Sequence, residues 1–516
     1  MAVIRFPEDI WKAARAHLLD QIGEHFGFFL AKWAYSRREP VFMVRDFMPI
    51  SDRELESSGF GLQMSTGALL QIVNSAVRTG HCLIEAHNHG GSLPRFSRTD
   101  RSELPDLISY MHASLDHRPY AATVWGDRSI FGEYYLADGG HGVIRSVTAL
   151  GDRLRQLVSR DDDLSGIPDE FDRQLPWFTQ AGQREISRLR VAVVGCGGTG
   201  SHFIQQLAFL GLRNFILIDN DIADATNLNR VVTANAKDVG TPKVDLARRL
   251  IEGLAPNAQV VALQVRIQSF EALDSLKGAD ILFGCVDNDG ARLILNELAL
   301  AYSIPYFDLA VGIDASNGTV GAAGGRLCFV RPNGRCLYCM GEIDQEEASY
   351  FLANSVHQRE HRERGYVTGL DVTAPSVVSL NGLIASAAVN EFAVLVSGIR
   401  EVPHLTSYDL LGVSHPEQGQ WLGPVRLSPK KPCVQCLLAG VGDDCDIERF
   451  GRSSVNPSQQ STCIHTANPQ SSPRSLAMSK TRRGKKTVQV KSHTRSKRGR
   501  SRTRTRVKRH RRSTPA

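Results

Sequence analysis

Residues 190–201 read Arg-Val-Ala-Val-Val-Gly-Cys-Gly-Gly-Thr-Gly-Ser, and this stretch decides the fold class. The β-branched run before the glycines predicts a buried strand, and residues 202–210 predict a helix. Glycines permit a tight turn between the two and let backbone N–H groups approach a phosphate at the helix N-terminus. Alone, the pattern predicts a nucleotide-binding turn, for which a dinucleotide oxidoreductase is the default interpretation. The glycines concerned are Gly195, Gly197, Gly198 and Gly200.

The segments after this turn alternate between strands and helices. Strands are predicted at 214–218, 259–264 and 280–285, and helices at 244–252 and 289–302. Because consecutive parallel strands need crossover helices, this order predicts a doubly wound, Rossmann-like α/β sheet. We expect this domain to span residues 170–449.

Charged residues at the end of the strand 214–218 and after it favour a triphosphate over a dinucleotide as the ligand. Asp219 ends that strand, where an acidic side chain can hold ribose hydroxyls. Arg230 and Lys243 follow it and supply positive charge suited to three phosphates. Dinucleotide oxidoreductases do not need that charge, so the sequence predicts an ATP site.

With these residues the chain resembles the ThiF/MoeB superfamily, which shares the fold of ubiquitin-activating enzymes. The family pattern combines Gly-x-Gly-Gly-x-Gly, Asp-x-Asp, Asn-Leu-x-Arg, a later Lys and an Asp-Asn pair before a helix. Besides the glycines, the matching positions are Asp219, Asp221, Asn227, Arg230, Lys243, Asp287 and Asn288. The resemblance implies that these residues bind ATP, with Asp287 holding magnesium. It also implies a homodimer in which Arg173 reaches the partner's ATP site.

Two Cys-x-x-Cys pairs, Cys336/Cys339 and Cys433/Cys436, lie in the same domain. In a chain with no visible secretion signal, such pairs indicate a metal or redox site rather than disulfides, and we expect a cytoplasmic protein. Four thiolates form a closed structural zinc site, and the ThiF/MoeB family has such pairs at matching places. No cysteine lies between the two pairs, where thioester-forming relatives carry their catalytic cysteine. We therefore expect a separate thiol on a partner.

A second set of candidate residues lies upstream, where residues 85–100 read Glu-Ala-His-Asn-His-Gly-Gly-Ser-Leu-Pro-Arg-Phe-Ser-Arg-Thr-Asp. His87 and His89 are two residues apart at a predicted strand end, so both project to the same face. Asp100 offers a carboxylate from the following loop or helix start. Three protein ligands and one open position are typical of a catalytic zinc.

A hydrolytic zinc site also needs a base and an oxyanion donor. Glu24, just before an apolar run at 26–34, is the candidate base, and the Ser97 hydroxyl can donate to the oxyanion. With these residues the segment resembles the JAMM/MPN (JAB-type) zinc isopeptidases, whose pattern is an upstream Glu with His-x-His-x7-Ser-x-x-Asp. The resemblance implies an α/β JAMM/MPN domain over 1–150 with a catalytic zinc. The alternative is a polar loop whose histidines are only hydrogen-bonded.

Charge is unevenly distributed along the chain. Residues 451–516 hold 19 of the 61 Lys and Arg and none of the 54 Asp and Glu. The whole chain has a net charge of +7, but residues 1–450 alone have a net charge of −12. The tail, 450–516, lacks apolar periodicity and is predicted to be disordered, although its charge suits non-specific binding of polyanions. Residues 151–169 are predicted to be a linker. No run of about 18 apolar residues is visible, so no membrane span is expected.

The two resemblances together predict a bifunctional enzyme of a bacterial ubiquitin-like protein pathway. One domain would adenylate the C-terminal glycine of a ubiquitin-like protein with ATP and magnesium, and the other would be a zinc-dependent peptidase or isopeptidase cleaving at that C-terminus. A conjugating enzyme or another thiol acceptor is an expected partner. One alternative is activation and release of a sulfur-carrier protein in cofactor or amino-acid biosynthesis. Another is a non-catalytic adaptor that binds ubiquitin-like proteins.

Overall fold

Two β-sheets organise the chain, one before and one after the predicted linker. A computed structural model describes residues 2–37, 39–58, 61–89, 94–127, 129–151, 153–158, 166–315, 318–332, 334–353, 375–413, 419–428 and 433–451. The predicted disordered tail therefore lies outside the described residues from position 452 onward, as do the glycines at 90 and 91.

The first sheet uses strands from the N-terminal domain. Its strands and the nearby two-stranded hairpin are β1 Ala2–Pro7, β2 Phe26–Ser36, β3 Glu39–Pro49, β4 Leu55–Ser58, β5 Gly61–Met64, β6 Cys82–Asn88, β7 Tyr120–Trp125, β8 Ile130–Tyr135, β9 His141–Leu150 and β10 Leu154–Val158. The helices of this domain are α1 Glu8–Leu18, α2 Thr66–Thr79 and α3 Arg98–Ser114.

This first sheet closes on itself. The strand order is β1-β3-β2-β6-β7-β8-β9-β10, and β1 also pairs with β9 in parallel, which joins the two ends into a barrel. Successive side chains of a strand point to opposite faces, so Phe29 of β2 packs with Trp11 and Trp125 while Phe28 packs on the other face. The α/β class predicted for this domain is confirmed, but its closure into a barrel was not foreseen.

The second sheet carries the predicted doubly wound domain. Its strands are β11 Arg190–Val194, β12 Asn214–Ile218, β13 Gln259–Leu263, β14 Ile281–Gly284, β15 Tyr306–Asp314, β16 Ala322–Val330, β17 Leu405–Asp409 and β18 Trp421–Pro424. Its helices are α4 Leu175–Arg188, α5 Gly198–Phe209, α6 Lys243–Leu254, α7 Phe270–Lys277, α8 Asp289–Ala301, α9 Leu337–Met340, α10 Gln345–Leu352 and α11 Val378–Ser397.

The strand order of the second sheet is β13-β12-β11-β14-β15-β16-β17-β18. The first five strands run parallel, as predicted, and the last three extend the sheet in antiparallel fashion. β12 and β13 lie on one side of β11, and β14 lies on the other. The chain therefore reverses direction across the sheet at the carboxyl end of β11, which is where open α/β sheets bind ligands.

Helices cover both faces of the parallel strands. Val191 and Val193 of β11 pack into the core beneath α5 and α11, whereas Ala192 and Val194 pack into the core beneath α7 and α8. Helix α11 is long and apolar enough to cross a membrane by length and composition. The helix is not an unbroken apolar run, since it contains Asn381 and Glu391, and much of it is buried in the core, including Ile384 and Phe392.

Polar contacts and a shared core join the two sheets. The guanidinium of Arg5, on β1, is buried and donates to the carbonyls of Tyr302, Lys277 and Ala279 at 2.6, 2.8 and 2.7 Å. Leu154 of β10 lies in the apolar core of the second sheet. The stretch predicted to be a linker, 151–169, therefore contains a strand, while its residues 159–165 lie outside the described ones.

Most predicted helices are present with shifted ends. Helix α3 begins at Arg98, because the Ser97 hydroxyl accepts from the Asp100 N–H while the Asp100 carboxylate accepts from the Ser97 N–H. This reciprocal capping satisfies two N–H groups that a helix start leaves unpaired.

Candidate functional site

The glycine-rich turn between β11 and α5 depends on the absence of side chains at two positions. Gly195 has φ of +93°, and a Cβ there would lie 2.4 Å from the carbonyl oxygen of Cys285. A Cβ on Gly200 would lie 1.9 Å from the carbonyl oxygen of Gly195. Gly197 is the N-cap of α5, which begins at Gly198. The turn thus leaves the N-terminal N–H groups of α5 open to a phosphate.

Asp219, predicted to hold the ribose, lies at the end of β12 beside this turn. Its carboxylate accepts from the backbone N–H of Cys196 at 2.7 Å and from that of Asp221 at 2.8 Å. Burial raises the pKa of Asp219, and these backbone hydrogen bonds work in the opposite direction. The Asp219 carboxylate therefore stabilises the glycine turn through hydrogen bonds, and it lies at the carboxyl edge of the sheet where that turn is found.

Both predicted phosphate-binding cations have partners within the chain. Lys243 Nζ lies 2.8 Å from the Asp221 carboxylate, and the lysine is largely buried at the start of α6. Arg230 donates to the carbonyl of Thr226 at 2.6 Å and to the Asn229 side chain at 3.1 Å. Any triphosphate that uses these two cations must compete with these contacts.

The remaining residues of the predicted ATP site take different positions. Asp287 is exposed at the carboxyl end of β14 and accepts from the Asn288 amide at 3.2 Å. Asn288 also caps α8 by accepting from the Ala291 N–H at 2.8 Å. Asn227 is buried, and its side chain accepts from the Asp224 N–H within a short turn. Of the three acidic residues predicted at this edge, Asp221 and Asp287 are exposed, whereas Asp219 is partly buried.

The sequence reasoning missed one residue beside the glycine turn. Asn381, buried on α11, accepts from the Thr199 hydroxyl at 3.1 Å and donates to the Ser376 hydroxyl at 3.0 Å. A Cβ on Gly198 would lie 2.5 Å from its amide nitrogen. The sequence signal that could have identified Asn381 is an amide side chain within an otherwise largely apolar helix.

The four predicted cysteine ligands converge. Their sulfurs lie within 4.8 Å of one another, and Cys336 Sγ is 3.7 Å from that of Cys433 and 3.6 Å from that of Cys436. A tetrahedral ion with metal–sulfur bonds of about 2.3 Å places its sulfurs about 3.8 Å apart. Cys339 completes the set from the first turn of α9. The donor set and its spacing therefore fit a tetrahedral metal.

The second predicted metal site is also assembled. The ligand atoms of His87, His89 and Asp100 lie within 4.8 Å of one another. The Asp100 carboxylate is 3.1 Å from His89 Nε2 and 3.6 Å from His87 Nε2. His87 is buried at the end of β6, and its Nε2 has no hydrogen-bond partner among the residues that the structure describes. A buried ring nitrogen aimed at two other donors fits a metal ligand.

Contacts behind His87 hold its ring in place. The Glu85 carboxylate lies 3.1 Å from His87 Nδ1 and accepts from the Tyr120 hydroxyl at 2.6 Å. Burial lowers the pKa of His87, but the carboxylates of Asp100 and Glu85 outweigh it and raise that pKa to about 9. The site therefore favours positive charge. Glu85 was not predicted, although its position two residues before His87 places it on the same strand face.

Glu24 and Ser97 flank this cluster. The Glu24 carboxylate lies 3.2 Å from His89 Nδ1, on the side of the ring opposite the ligand nitrogen. Ser97 lies next to Asp100 through the reciprocal cap of α3. Arg173, in contrast, lies in the exposed turn Asp169–Gln174 before α4, within the second domain.

The fold and the glycine turn together define a Rossmann-like nucleotide-binding domain. The chain belongs to the ThiF family, whose model matches residues 171–439, just over half of its length. That match covers the glycine turn and the four cysteines and does not extend to the cluster around His87.

Three relatives share this region. The chain is 30% identical over 159 residues to the SAMP-activating enzyme E1 of Haloferax volcanii, covering 31% of this chain and 56% of the relative. It is 35% identical over 158 residues to the adenylyltransferase and sulfurtransferase UBA4 of Saccharomyces cerevisiae, covering 29% and 36%. It is 33% identical over 139 residues to the sulfur carrier protein adenylyltransferase of Thermus thermophilus, covering 27% and 51%. The matches thus span about a third to just over half of these relatives.

Among solved structures, similarity to this chain is lower in sequence identity. The structure of MccB from E. coli with ATP superposes with a TM-score of 0.40 at 20% identity, covering 53% of this chain and 75% of that one.

Proposed function

We propose that the ThiF domain adenylates the C-terminal carboxylate of a ubiquitin-like or sulfur-carrier protein with ATP. The observation that carries this proposal is the meeting of three features at one edge of the sheet. The open N-terminus of α5, the cations Lys243 and Arg230, and the exposed carboxylate of Asp287 all follow the carboxyl ends of neighbouring strands.

In this reaction the glycine turn and the N-terminus of α5 hold the phosphates through backbone N–H groups. Lys243 leaves Asp221, and Arg230 leaves the Thr226 carbonyl, to neutralise the phosphate oxygens. A carboxylate oxygen of the carrier bonds to the α-phosphorus as the bond to pyrophosphate breaks. Asp287 would hold magnesium, which shields the charge of the phosphates.

The activated carrier is proposed to react next with a thiol on a separate partner protein. Cys445, which follows the second cysteine pair in the chain, is buried, and burial raises its pKa to about 11. Cys196 and Cys285 also have raised pKa values because they are buried. Cys463 lies outside the described residues. The names of the UBA4 and Thermus relatives favour the sulfur-carrier reaction over conjugation to a target protein.

ATP–pyrophosphate exchange with a candidate carrier tests the adenylation directly. We expect wild type to exchange and Asp287→Ala to lose exchange. Unchanged exchange in Asp287→Ala would contradict the assigned site. Mass spectrometry of the carrier separates the two fates, since a thiocarboxylate supports sulfur transfer and a covalent protein–protein product supports conjugation.

We propose that the N-terminal domain is a zinc peptidase or isopeptidase acting at the same carrier C-terminus. His87, His89 and Asp100 would hold the zinc, and the convergence of their ligand atoms within 4.8 Å, with a buried His87 Nε2 that forms no hydrogen bond to any described residue, supports this assignment. Zinc bound there would lower the pKa of a bound water to about 7, which is the chemistry that a peptidase needs. Glu24 lies beside His89 and would accept a proton, and the Ser97 hydroxyl hydrogen would be directed at the oxyanion.

The substitution Glu24→Gln tests the peptidase assignment. It should retain zinc and lose cleavage of a C-terminally extended carrier, because glutamine cannot accept the proton. Asp20→Asn, an exposed neighbour in the chain, is the matched control and should cleave normally. Cleavage by Glu24→Gln at the wild-type rate would remove Glu24 from the mechanism.

The structural cysteine set is proposed to hold a second zinc, and the domain is proposed to act as a cytoplasmic homodimer with Arg173 reaching the partner's ATP site. Light scattering tests the dimer, and loss of exchange in Arg173→Ala tests the role of that residue. If neither zinc nor carrier-dependent exchange is found, the non-catalytic adaptor replaces both enzymatic proposals.

A further inference from the structure

Asn88 lies in the chain between two of the proposed zinc ligands, at the end of β6. Because successive side chains of a strand face opposite sides, Asn88 projects away from the face of His87. The ligand atoms of His87 and His89 converge without it. Asn88 is buried, so its amide needs hydrogen-bond partners elsewhere in the fold.

The Asn88 amide holds the backbone on both sides of Glu24. Its Oδ1 accepts from the His25 N–H at 2.6 Å, and its Nδ2 donates to the Gly23 carbonyl at 3.0 Å. The Asn88 N–H also donates to the His25 carbonyl at 3.3 Å. An amide offers a donor and an acceptor on two separate atoms, whereas an ionised carboxylate cannot donate and a hydroxyl has a single oxygen.

The segment that carries Glu24 has no backbone pairing of its own. Within the described part of the chain, the backbone of residues 20–24 forms no hydrogen bond with another backbone group. Gly23 is exposed and has φ of +114°, a conformation that residues with side chains rarely adopt. His25, on the other side of Glu24, is buried. The bonds from Asn88 therefore fix the point at which this exposed segment enters the fold.

This arrangement joins the candidate base to the candidate ligands through one residue. Glu24 Oε1 lies 3.2 Å from His89 Nδ1, and His89 directly follows Asn88. Loss of the bonds from Asn88 would let the Glu24 carboxylate move relative to the ligand cluster. A general base acts only within hydrogen-bond reach of the proton that it takes, and a misplacement of about 1 Å can slow a reaction by about 10²-fold.

We propose that Asn88 is the positioning residue for Glu24 in the peptidase reaction. It holds the base beside the ligand cluster and contacts neither substrate nor metal. This inference rests on the proposed peptidase function. The ligands have other support, including the Glu85 carboxylate behind His87. Loss of the Asn88 amide should therefore impair catalysis and leave zinc binding intact.

Asn88→Leu tests this proposal in the full chain, because leucine resembles asparagine in shape but neither donates nor accepts. Hydrogen exchange of the His25 N–H in the zinc-free chain should become about tenfold faster, since its acceptor is lost. The cleavage probe is a ubiquitin-like carrier fused through its C-terminal glycine to green fluorescent protein. Its kcat should fall by about 10²-fold, because the base is misplaced. KM, and the zinc affinity measured by competition with a chelator, should stay at wild-type values.

A control variant removes a comparable set of hydrogen bonds near the other end of β6. Arg118 donates to the carbonyls of Ala76 and His81 at 3.0 and 2.9 Å. Arg118→Met should leave kcat, KM and zinc affinity unchanged. The melting temperature reports whether each variant is folded. If Asn88→Leu does not fold, Asn88→Ala takes its place, since it removes the same two side-chain bonds without adding methyl groups.

The possible results separate the role of Asn88 from the peptidase function. Unchanged kcat in Asn88→Leu, or an equal fall in Arg118→Met, would overturn the positioning role. A zinc affinity that falls together with kcat would also overturn it, because Asn88 would then support the ligands rather than the base. If wild type binds zinc but does not cleave the probe, the peptidase function is wrong and this inference fails with it.

Discussion

The cluster around His87 and the ATP edge of the ThiF domain hold their charged side chains in opposite ways. At the cluster, the ligand atoms of His87, His89 and Asp100 already lie within 4.8 Å of one another. At the ATP edge, Lys243 is paired with Asp221 and Arg230 with backbone and amide oxygens. In the proposed functions, the first site would receive a cation with its donors already in place, whereas the second would exchange internal pairs for contacts with ATP. Two motifs that are equally easy to recognise in the sequence can therefore differ in whether their side chains are already positioned for a ligand.

The largest expected effect concerns Lys243. If it leaves Asp221 to neutralise phosphate charge during adenylation, Lys243→Ala should slow ATP–pyrophosphate exchange by about 10²–10³-fold. Lys237→Ala removes an exposed lysine from a nearby turn and should leave exchange unchanged. Equal rates for wild type and Lys243→Ala would mean that the pair with Asp221 persists and has only a structural role.

A smaller effect is expected behind the metal ligands. Glu85→Gln removes the negative charge that holds His87 Nδ1, so zinc affinity should fall by about 10–100-fold in competition with a chelator. Asp106→Asn, on the exposed side of α3, is the control and should bind zinc with unchanged affinity. If Glu85→Gln binds zinc as tightly as wild type, the cluster is not preorganised by its supporting carboxylate.

The smallest effect concerns Ser97, which has two possible roles. Ser97→Ala should lower the free energy of unfolding by about 1 kcal/mol in denaturant titrations, because the cap of α3 is lost. Ser97→Asn keeps an oxygen that can cap the helix and should retain most of that stability. If Ser97→Asn is stable yet slow in cleavage, the hydroxyl also serves the reaction; normal cleavage would leave Ser97 as a cap alone.

The glycine turn of the second domain and the strand before it could be predicted from the sequence, because both depend on local steric requirements. The turn needs glycine at 195 and 200 because a side chain there would strike backbone atoms. The β-branched run before it is typical of a strand covered on both faces. The spacing of His87, His89 and Asp100 placed three ligands together because it combines a strand period with a helix cap.

Features that depend on distant pairing were not predictable from one sequence. The barrel closes through β1 and β9, which are more than 130 residues apart in the chain, and no local pattern specifies that pairing. The pairing of β16 with β17 has the same difficulty, because more than 70 residues separate these two strands in the chain. Asn381 reaches the glycine turn from α11, and its role follows only from the packing of two helices.

The buried guanidinium of Arg5 limits which changes to the gene the folded protein can tolerate. A late translation start or a gene split that removed β1 would leave the carbonyls of Tyr302, Lys277 and Ala279 without their donor. Buried carbonyls without donors cost stability. Mutations that inactivate the His87 cluster would therefore be tolerated more readily than deletion of the first domain. Among descendants of this gene, we expect the N-terminal barrel to persist even where its histidines have been lost.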